Sequence, residues 1–151
     1  MTRVCLVGAE DVALRGELFG HEGSRDALSS YAIDEPWVNT VAVTTVSLGA
    51  AVSLLNDLNW YLVRYARDVI IFEPSVSESE WLSRPLATAI RDTQVDPEST
   101  GSLLKIYGIE DGHLVEPMYV QRTDGAAPKY DLRNVDDTVL VRITREEFGS
   151  G

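Results

Sequence analysis

The chain has 151 residues, of which 44% are apolar and 25% are charged, a composition typical of one globular domain that excludes disorder throughout. Its 24 acidic and 13 basic residues give a formal net charge of −11. A field of that sign repels nucleic acids and anionic membranes, so we expect neither as a partner. No apolar stretch approaches the length of about 18 residues that a membrane span requires.

The basic residues are nearly all arginine, with Lys105 and Lys129 as the two lysines. Few lysines and many carboxylates predict a surface that holds K⁺ and other hydrated cations, as in cytoplasmic proteins working in molar salt, where the Debye length is about 3 Å. An acidic protein from an arginine-rich genome is the alternative. Cys5 lies in an apolar run, so we expect a buried thiol in a reduced, cytoplasmic compartment. No cofactor is indicated.

The front part of the chain is predicted to alternate strands and helices. Apolar and β-branched runs predict strands at 3–7, 38–46 and 68–72, and helical spacing predicts helices at 10–19 and 47–67. Residues 23–36 are expected to form a loop, a candidate flap, with one helical turn at most. A capping box at Ser77 predicts a helix over 81–90, which Pro85 either kinks or divides at a second cap, Ser83.

The back part of the chain is predicted to consist mainly of strands. The runs 103–109 and 114–121 flank an Asp-Gly turn, which predicts a hairpin, and a loop at 122–128 precedes a last strand at 137–145. The expected fold is therefore α/β (α+β): a single mixed β-sheet covered by helices, with a βαβαβα front half, an antiparallel hairpin and a final strand. We expect one domain over 1–148, with 149–151 a flexible tail or an expression remnant.

Three acidic residues are the candidates for chemistry. Glu10 and Asp11 follow the first strand, and Glu73 ends the third. If these strands are parallel, their carboxyl ends meet at one edge of the sheet, where a divalent cation or substrate binds. Acids at strand ends are also what a salt-adapted surface requires, so the composition favours a solvated surface and we expect no metal.

Segments 3–10 and 68–74 are similar to the first strand and the phosphoacceptor strand of response-regulator receiver domains. The resemblance departs at Gly8 and Ala9, where receivers carry adjacent acids, and at Glu73, where they carry the phosphoacceptor Asp. A metal-dependent or phosphoryl-handling enzyme using Glu10, Asp11 and Glu73 is therefore the alternative function.

The helix predicted at 47–67 has an unusually uncharged outer face. Asp57 is its only acid, in a chain that is otherwise strongly acidic. Residue types enriched in interfaces occupy this face instead, and either a partner or the interior of the chain covers it. The interface candidates are Asn56, Trp60, Val63, Arg64 and Arg67.

Residues 46–64 (VSLGAAVSLLNDLNWYLVR) and 73–82 (EPSVSESEWL), with Tyr107-Gly108 and Asp111-Gly112, resemble a small haloarchaeal protein family of unknown function. The resemblance extends over most of the chain and implies a salt-adapted cytoplasmic protein, but no activity and no catalytic residue. The leading hypothesis is a non-catalytic interaction or regulatory module that binds itself or another protein, with a homodimer through the 47–67 face as one form.

Overall fold

A computed structural model describes residues 1–123 and 127–150 of the chain. The predicted loop at 122–128 thus lies partly outside the described residues, as does the last residue of the predicted tail. In chain order the elements are β1 (Thr2–Gly8), α1 (Leu14–Gly20), α2 (Glu22–Leu28), β2 (Thr40–Thr45), α3 (Leu48–Tyr65), β3 (Ala66–Phe72), β4 (Trp81–Ser83), α4 (Arg84–Arg91), a 3₁₀ turn (Pro97–Ser99), β5 (Leu103–Glu110), β6 (His113–Gln121), β7 (Asp137–Arg142) and α5 (Arg145–Ser150).

The strands of the described residues form one mixed sheet in the order β2-β1-β3-β4-β7-β5-β6. β4 and β7 pair in parallel, and the other neighbours pair antiparallel. The predicted mixed sheet with helices is confirmed. β2, α3 and β3 form a crossover that passes β1, so that β2 and β3 both run antiparallel to the strand between them.

β1 is buried on both sides of the sheet, which explains its uninterrupted apolar run. Val4 and Leu6 pack against the core that the helices α1 to α4 cover. Cys5 and Val7 point to the other side, into a second core built from all seven strands. Burial raises the pKa of the Cys5 thiol to about 12, as expected of a core residue rather than a reactive thiol.

The hairpin of β5 and β6 closes this second core by folding back towards β1 and β3. Arg67 on β3 donates from Nη2 to the carbonyl oxygen of Leu114 on β6 at 2.7 Å. The amide of Val38, just before β2, donates to the carbonyl oxygen of Gly112 at the hairpin tip at 2.8 Å. The sheet therefore curls, which brings strands that are far apart in the sheet order into contact.

α3 forms because local signals agree along its length. The Ser47 side chain accepts a hydrogen bond from the Ala50 amide and caps the first turn. Side chains at helical spacing are buried along one stripe, which holds the helix against the sheet. The buried residues are Ala51, Val52, Leu54, Leu55, Leu58 and Leu62.

Two predictions near the N-terminus are wrong. The first helix starts at Leu14 rather than at residue 10, because Asp11 has a left-handed backbone (φ 64°) and the Leu14 amide is held by Asn39 Oδ1 at 3.0 Å. The segment predicted as a loop contains α2, which begins directly after α1. Its N-terminus packs closely on α3, since a side chain at Gly23 would collide with the Tyr61 hydroxyl.

The predicted helix over 81–90 is also wrong in its first part. Trp81–Ser83 forms β4, and Ser77 Oγ accepts hydrogen bonds from the amides of Ser79 and Glu80 in a turn before it. The second option, a shorter helix capped by Ser83, is confirmed by the bond from the Leu86 amide. The predicted hairpin is confirmed as well, with φ of 51° at Asp111 and 79° at Gly112.

Candidate functional site

The outer side of α3 carries the most prominent exposed apolar surface on a helix. Trp60 is 52% exposed and Val63 is 73% exposed, and both lie in the C-terminal half of the helix. Arg64 is exposed beside them. We call Trp60, Val63, Arg64 and the neighbouring His21 the α3 patch.

Arg64 and Trp60 form an ordered pair within the α3 patch. The guanidinium carbon of Arg64 lies 3.6 Å from the centroid of the Trp60 ring, a cation–π contact. Arg64 Nη1 also donates to the Trp60 carbonyl oxygen at 2.7 Å. These two contacts hold both side chains in one arrangement before any partner binds, which lowers the conformational entropy lost on association.

His21 extends the patch from the junction of α1 and α2. Its ring stacks on Tyr65 with centroids 5.7 Å apart, and its centroid lies 6.3 Å from that of Trp60. Its Nε2 lies 3.2 Å from the Tyr65 hydroxyl and 3.5 Å from the Glu17 carboxylate. The aromatic surface therefore continues from α3 onto the adjoining helices, with an acid at its rim.

The structure separates the five interface candidates. Trp60, Val63 and Arg64 lie together, and Asn56 lies on the same helix, with its Oδ1 3.5 Å from Arg84 Nη2 of α4. Arg67 does not belong with them, because α3 ends at Tyr65 and Arg67 is on β3. Its guanidinium contacts Leu114 and lies 5.8 Å from the Tyr107 ring centroid.

The three acidic candidates do not meet, because the assumption of parallel strands is wrong. β1 and β3 are antiparallel, with Gly8 opposite Ala66 and Arg3 opposite Phe72. Glu10 and Asp11 therefore follow one end of this strand pair, and Glu73 follows the other. In residues 1–123 and 127–150, no group of three or more His, Cys, Asp and Glu side chains is placed to hold a metal ion.

Glu73 instead has local hydrogen-bond partners. Its Oε1 accepts a bond from the Thr2 hydroxyl at 2.5 Å, and its Oε2 accepts from the hydroxyl and the amide of Ser75. Burial alone raises the pKa of Glu73, but the bonds from Thr2 and Ser75 outweigh it and hold the pKa below its ordinary value. These contacts join the start of β1 to the segment that follows β3.

Glu10 and Asp11 line a cleft of about 700 Å³ between the loop after β1 and the β5–β6 hairpin tip. Arg67 and His113 line the same cleft. Three residues in it, Asp11, Asn39 and Asp111, have left-handed backbones. Sequence reasoning missed this cleft, because nothing local indicates that the hairpin tip reaches the loop after β1.

A second cleft of about 810 Å³ lies between α4 and α5. The buried side chains of Leu86, Leu103 and Ile143 contribute to its lining, with Thr100 and Glu147 among its polar residues. The Ser83 hydroxyl donates to the Glu147 carboxylate at 2.5 Å, which fixes α5 beside this cleft. The sequence offered no signal for it, because α5 was not predicted.

The family relationship rests on the greater part of the chain. A family model with the description "Family of unknown function (DUF5804)" matches residues 2–109. The chain belongs to the DUF5804 family. The matched segment runs from β1 into β5 and includes the whole α3 patch, whereas Asp111-Gly112 of the predicted resemblance lies beyond it. No curated protein and no solved structure matches this DUF5804 chain.

The DUF5804 chain also contains two buried clusters of charged residues that the sequence did not predict. Glu80 lies between two arginines, with Oε2 2.5 Å from Arg122 Nη2 and Oε1 2.7 Å from Arg142 Nε. Asp68 accepts hydrogen bonds from Lys105 Nζ and from the Tyr107 hydroxyl. Both clusters join residues far apart in the chain, so no short motif reveals them.

In the part of the chain that the structure describes, no helix is both long enough and apolar enough to cross a membrane.

Proposed function

We propose that this chain is a non-catalytic interaction module that contacts a protein partner through the α3 patch. The observation that carries the proposal is the exposure of Trp60 and Val63 on a helix with one acid and one base, in a chain of net charge −11. Aromatic residues and arginine are enriched at the centres of protein interfaces, and acids are depleted there.

The physical chemistry of the patch supports association. Covering Trp60 and Val63 removes apolar surface from water, at about 25 cal/mol for each Å². The contact between Arg64 and Trp60 orders in advance the two residue types that most often act as binding hot spots. A partner therefore gains apolar burial without first having to order these two side chains.

The alternative function, an enzyme with an acidic site, has less support. Its three acids follow opposite ends of the β1–β3 pair, so they supply no common site for one cation or phosphoryl group. Glu10 and Asp11 share their cleft with Arg67, but the third acid of the proposed set is absent from it. The interaction hypothesis needs no such convergence.

We further propose that the module works in the cytoplasm at high salt, with K⁺ and hydrated cations at its surface. The support is the net charge of −11 together with the near-absence of lysine. At high ionic strength the repulsion between carboxylates is screened, and two acidic proteins approach each other more readily.

Photo-crosslinking tests the proposed interface. A photoreactive phenylalanine analogue replaces Val63, and the matched control places it at Val46, which is 76% exposed and precedes α3. We expect irradiation in cells to give a discrete adduct from position 63 that is weak from position 46 and is lost with Trp60→Ala. Mass spectrometry identifies the crosslinked peptide. Equal adducts from both positions, or none from position 63, contradict the proposal.

A further inference from the structure

We infer that the partner at the α3 patch is a second copy of this chain, with the two α3 helices antiparallel and Trp60 near the two-fold axis. This inference rests on the proposed function and adds the identity and orientation of the partner. It follows from how one acid and one base are arranged around Trp60.

Asp57 and Arg64 flank Trp60 along the outer side of α3, three residues before it and four residues after it. Residues three and four apart lie on the same side of a helix, so all three side chains share one face. In an antiparallel pair centred near Trp60, Asp57 of each copy faces Arg64 of the other. The same contact forms twice, as a two-fold interface requires.

Asp57 and Arg64 are both available for this contact. Both are exposed, and within the described residues neither takes part in an ion pair. Arg64 uses Nη1 for the Trp60 carbonyl oxygen and one face of its guanidinium for the Trp60 ring. The remaining N–H groups are left to donate to a carboxylate of the second copy.

The charge of the chain favours this face for self-association. Two copies with a net charge of −11 repel each other over most of their surfaces. α3 is formally neutral, since Asp57 and Arg64 are its two charged residues, and it therefore adds no net repulsion. A parallel pair would place Asp57 against Asp57 and Arg64 against Arg64, so the charges select the antiparallel arrangement.

Charge reversal tests both the partner and the orientation. The mass of the full chain is measured by sedimentation velocity over a range of concentrations, in molar KCl and at the lowest KCl at which it remains folded. We expect wild type to reach twice its 16.7 kDa mass. Asp57→Arg and Arg64→Asp each create two like-charged contacts, and we expect each to raise the dissociation constant about tenfold or more.

Mixing the two reversed variants provides the decisive measurement. A heterodimer of Asp57→Arg with Arg64→Asp restores both opposite-charge contacts, so the equimolar mixture is expected to dimerise more tightly than either variant alone. Val46→Glu, on a distant exposed valine, is the control and leaves the dimer unchanged. Melting curves of each variant confirm that it is folded.

The outcomes separate this inference from the proposed function. A mixture that stays monomeric overturns the antiparallel arrangement. A wild-type chain that is monomeric at all concentrations, while position 63 crosslinks to an identified different protein, overturns self-association but leaves the interaction module standing. A dimer that persists in Val63→Glu and gives no adduct from position 63 overturns both.

Discussion

Lys105 Nζ lies 2.5 Å from Asp68 Oδ2, although β4 and β7 separate their two strands in the sheet. The Tyr107 hydroxyl donates to the same carboxylate oxygen. The Lys105 side chain is 7% exposed and that of Asp68 is 16% exposed, so the pair is largely withdrawn from water. Burial and the charge of Asp68 both raise the pKa of Tyr107, which therefore remains a donor. This cluster ties the hairpin to β3 across the second core.

Removing one member of this pair is expected to destabilise the fold more than removing both. Asp68→Ala leaves the Lys105 ammonium buried without a counter-charge and is expected to lower the free energy of unfolding by about 3–5 kcal/mol. Adding Lys105→Met removes the orphaned charge, so the double variant is expected to recover part of the loss. Urea denaturation of the wild type, both single variants and the double variant measures this coupling. Strictly additive losses contradict it.

The elements that the sequence predicted well are those whose signals are local. The Asp111-Gly112 turn needs two adjacent left-handed residues, and α3 needs a cap and a periodic apolar stripe. β4 was missed because Trp81–Ser83 is too short to display a period of two. The orientation of β3 was missed because it depends on which strand lies between β2 and β3. That strand is β1, which is far from β3 in the chain, so local patterns do not reveal the pairing.

The same distinction applies to the candidate sites. Helical spacing is a local property, so the exposed face with Trp60 and Val63 was visible in the sequence. The end of α3 was not, and Arg67 was assigned to the wrong element. The grouping of Glu10, Asp11 and Glu73 failed because it required knowledge of strand direction, which comes from long-range pairing.

Glu80 is expected to make the fold sensitive to acid. Burial alone raises the pKa of Glu80, but hydrogen bonds and charges from Arg122 and Arg142 outweigh it and hold the pKa below its ordinary value. A lowered pKa stabilises the fold fully above the unfolded-state value of about 4.3, and this stabilisation is lost as the pH falls through the folded-state value. The free energy of unfolding is therefore expected to fall below about pH 4.3.

Glu80→Gln isolates this contribution. The amide cannot ionise, so Arg122 and Arg142 lose the negative charge between them. The free energy of unfolding is therefore expected to fall by more than about 1 kcal/mol at pH 7. The cost shrinks towards low pH, because the wild-type carboxylate becomes protonated there. Glu78→Gln, two residues earlier on the exposed turn, serves as the control. If the free energies of unfolding of Glu80→Gln and wild type differ by the same amount at every pH across the acid range, Glu80 is not the source of the acid sensitivity.

Salt is expected to stabilise the fold through its 24 acidic residues. Lowering KCl from molar to about 0.1 M lengthens the Debye length from about 3 to about 10 Å, so carboxylates repel one another more strongly and the melting temperature falls. A melting temperature that is flat or higher at low salt is evidence against salt adaptation.

In MgCl₂ and KCl of equal ionic strength, Glu73→Gln is expected to shift the melting temperature equally, since Glu73 shares no site with Glu10 and Asp11.

Trp60 and Leu58 lie two residues apart on α3 but face opposite surroundings, with 52% and 0% of their area exposed. Trp60→Ala is expected to lower the free energy of unfolding of the monomer by about 1 kcal/mol or less, because much of the ring is already exposed to solvent. Leu58→Ala leaves a cavity between α3 and the sheet, and about 2–5 kcal/mol is expected to be lost. Denaturation at a concentration where the chain is monomeric measures both.

Association is expected to respond in the opposite order to the same two substitutions. Trp60→Ala removes the centre of the α3 patch and is expected to weaken self-association by about 2 kcal/mol or more. Leu58→Ala changes no side chain on that surface, so it is expected to leave the dissociation constant of the folded chain unchanged. Val63→Glu distinguishes the two roles again, since a carboxylate on an exposed face keeps the fold intact but loses its hydration when a second surface covers it. A Trp60→Ala chain that loses as much stability as Leu58→Ala, with association unaltered, would place Trp60 in the core and remove the basis for the interface.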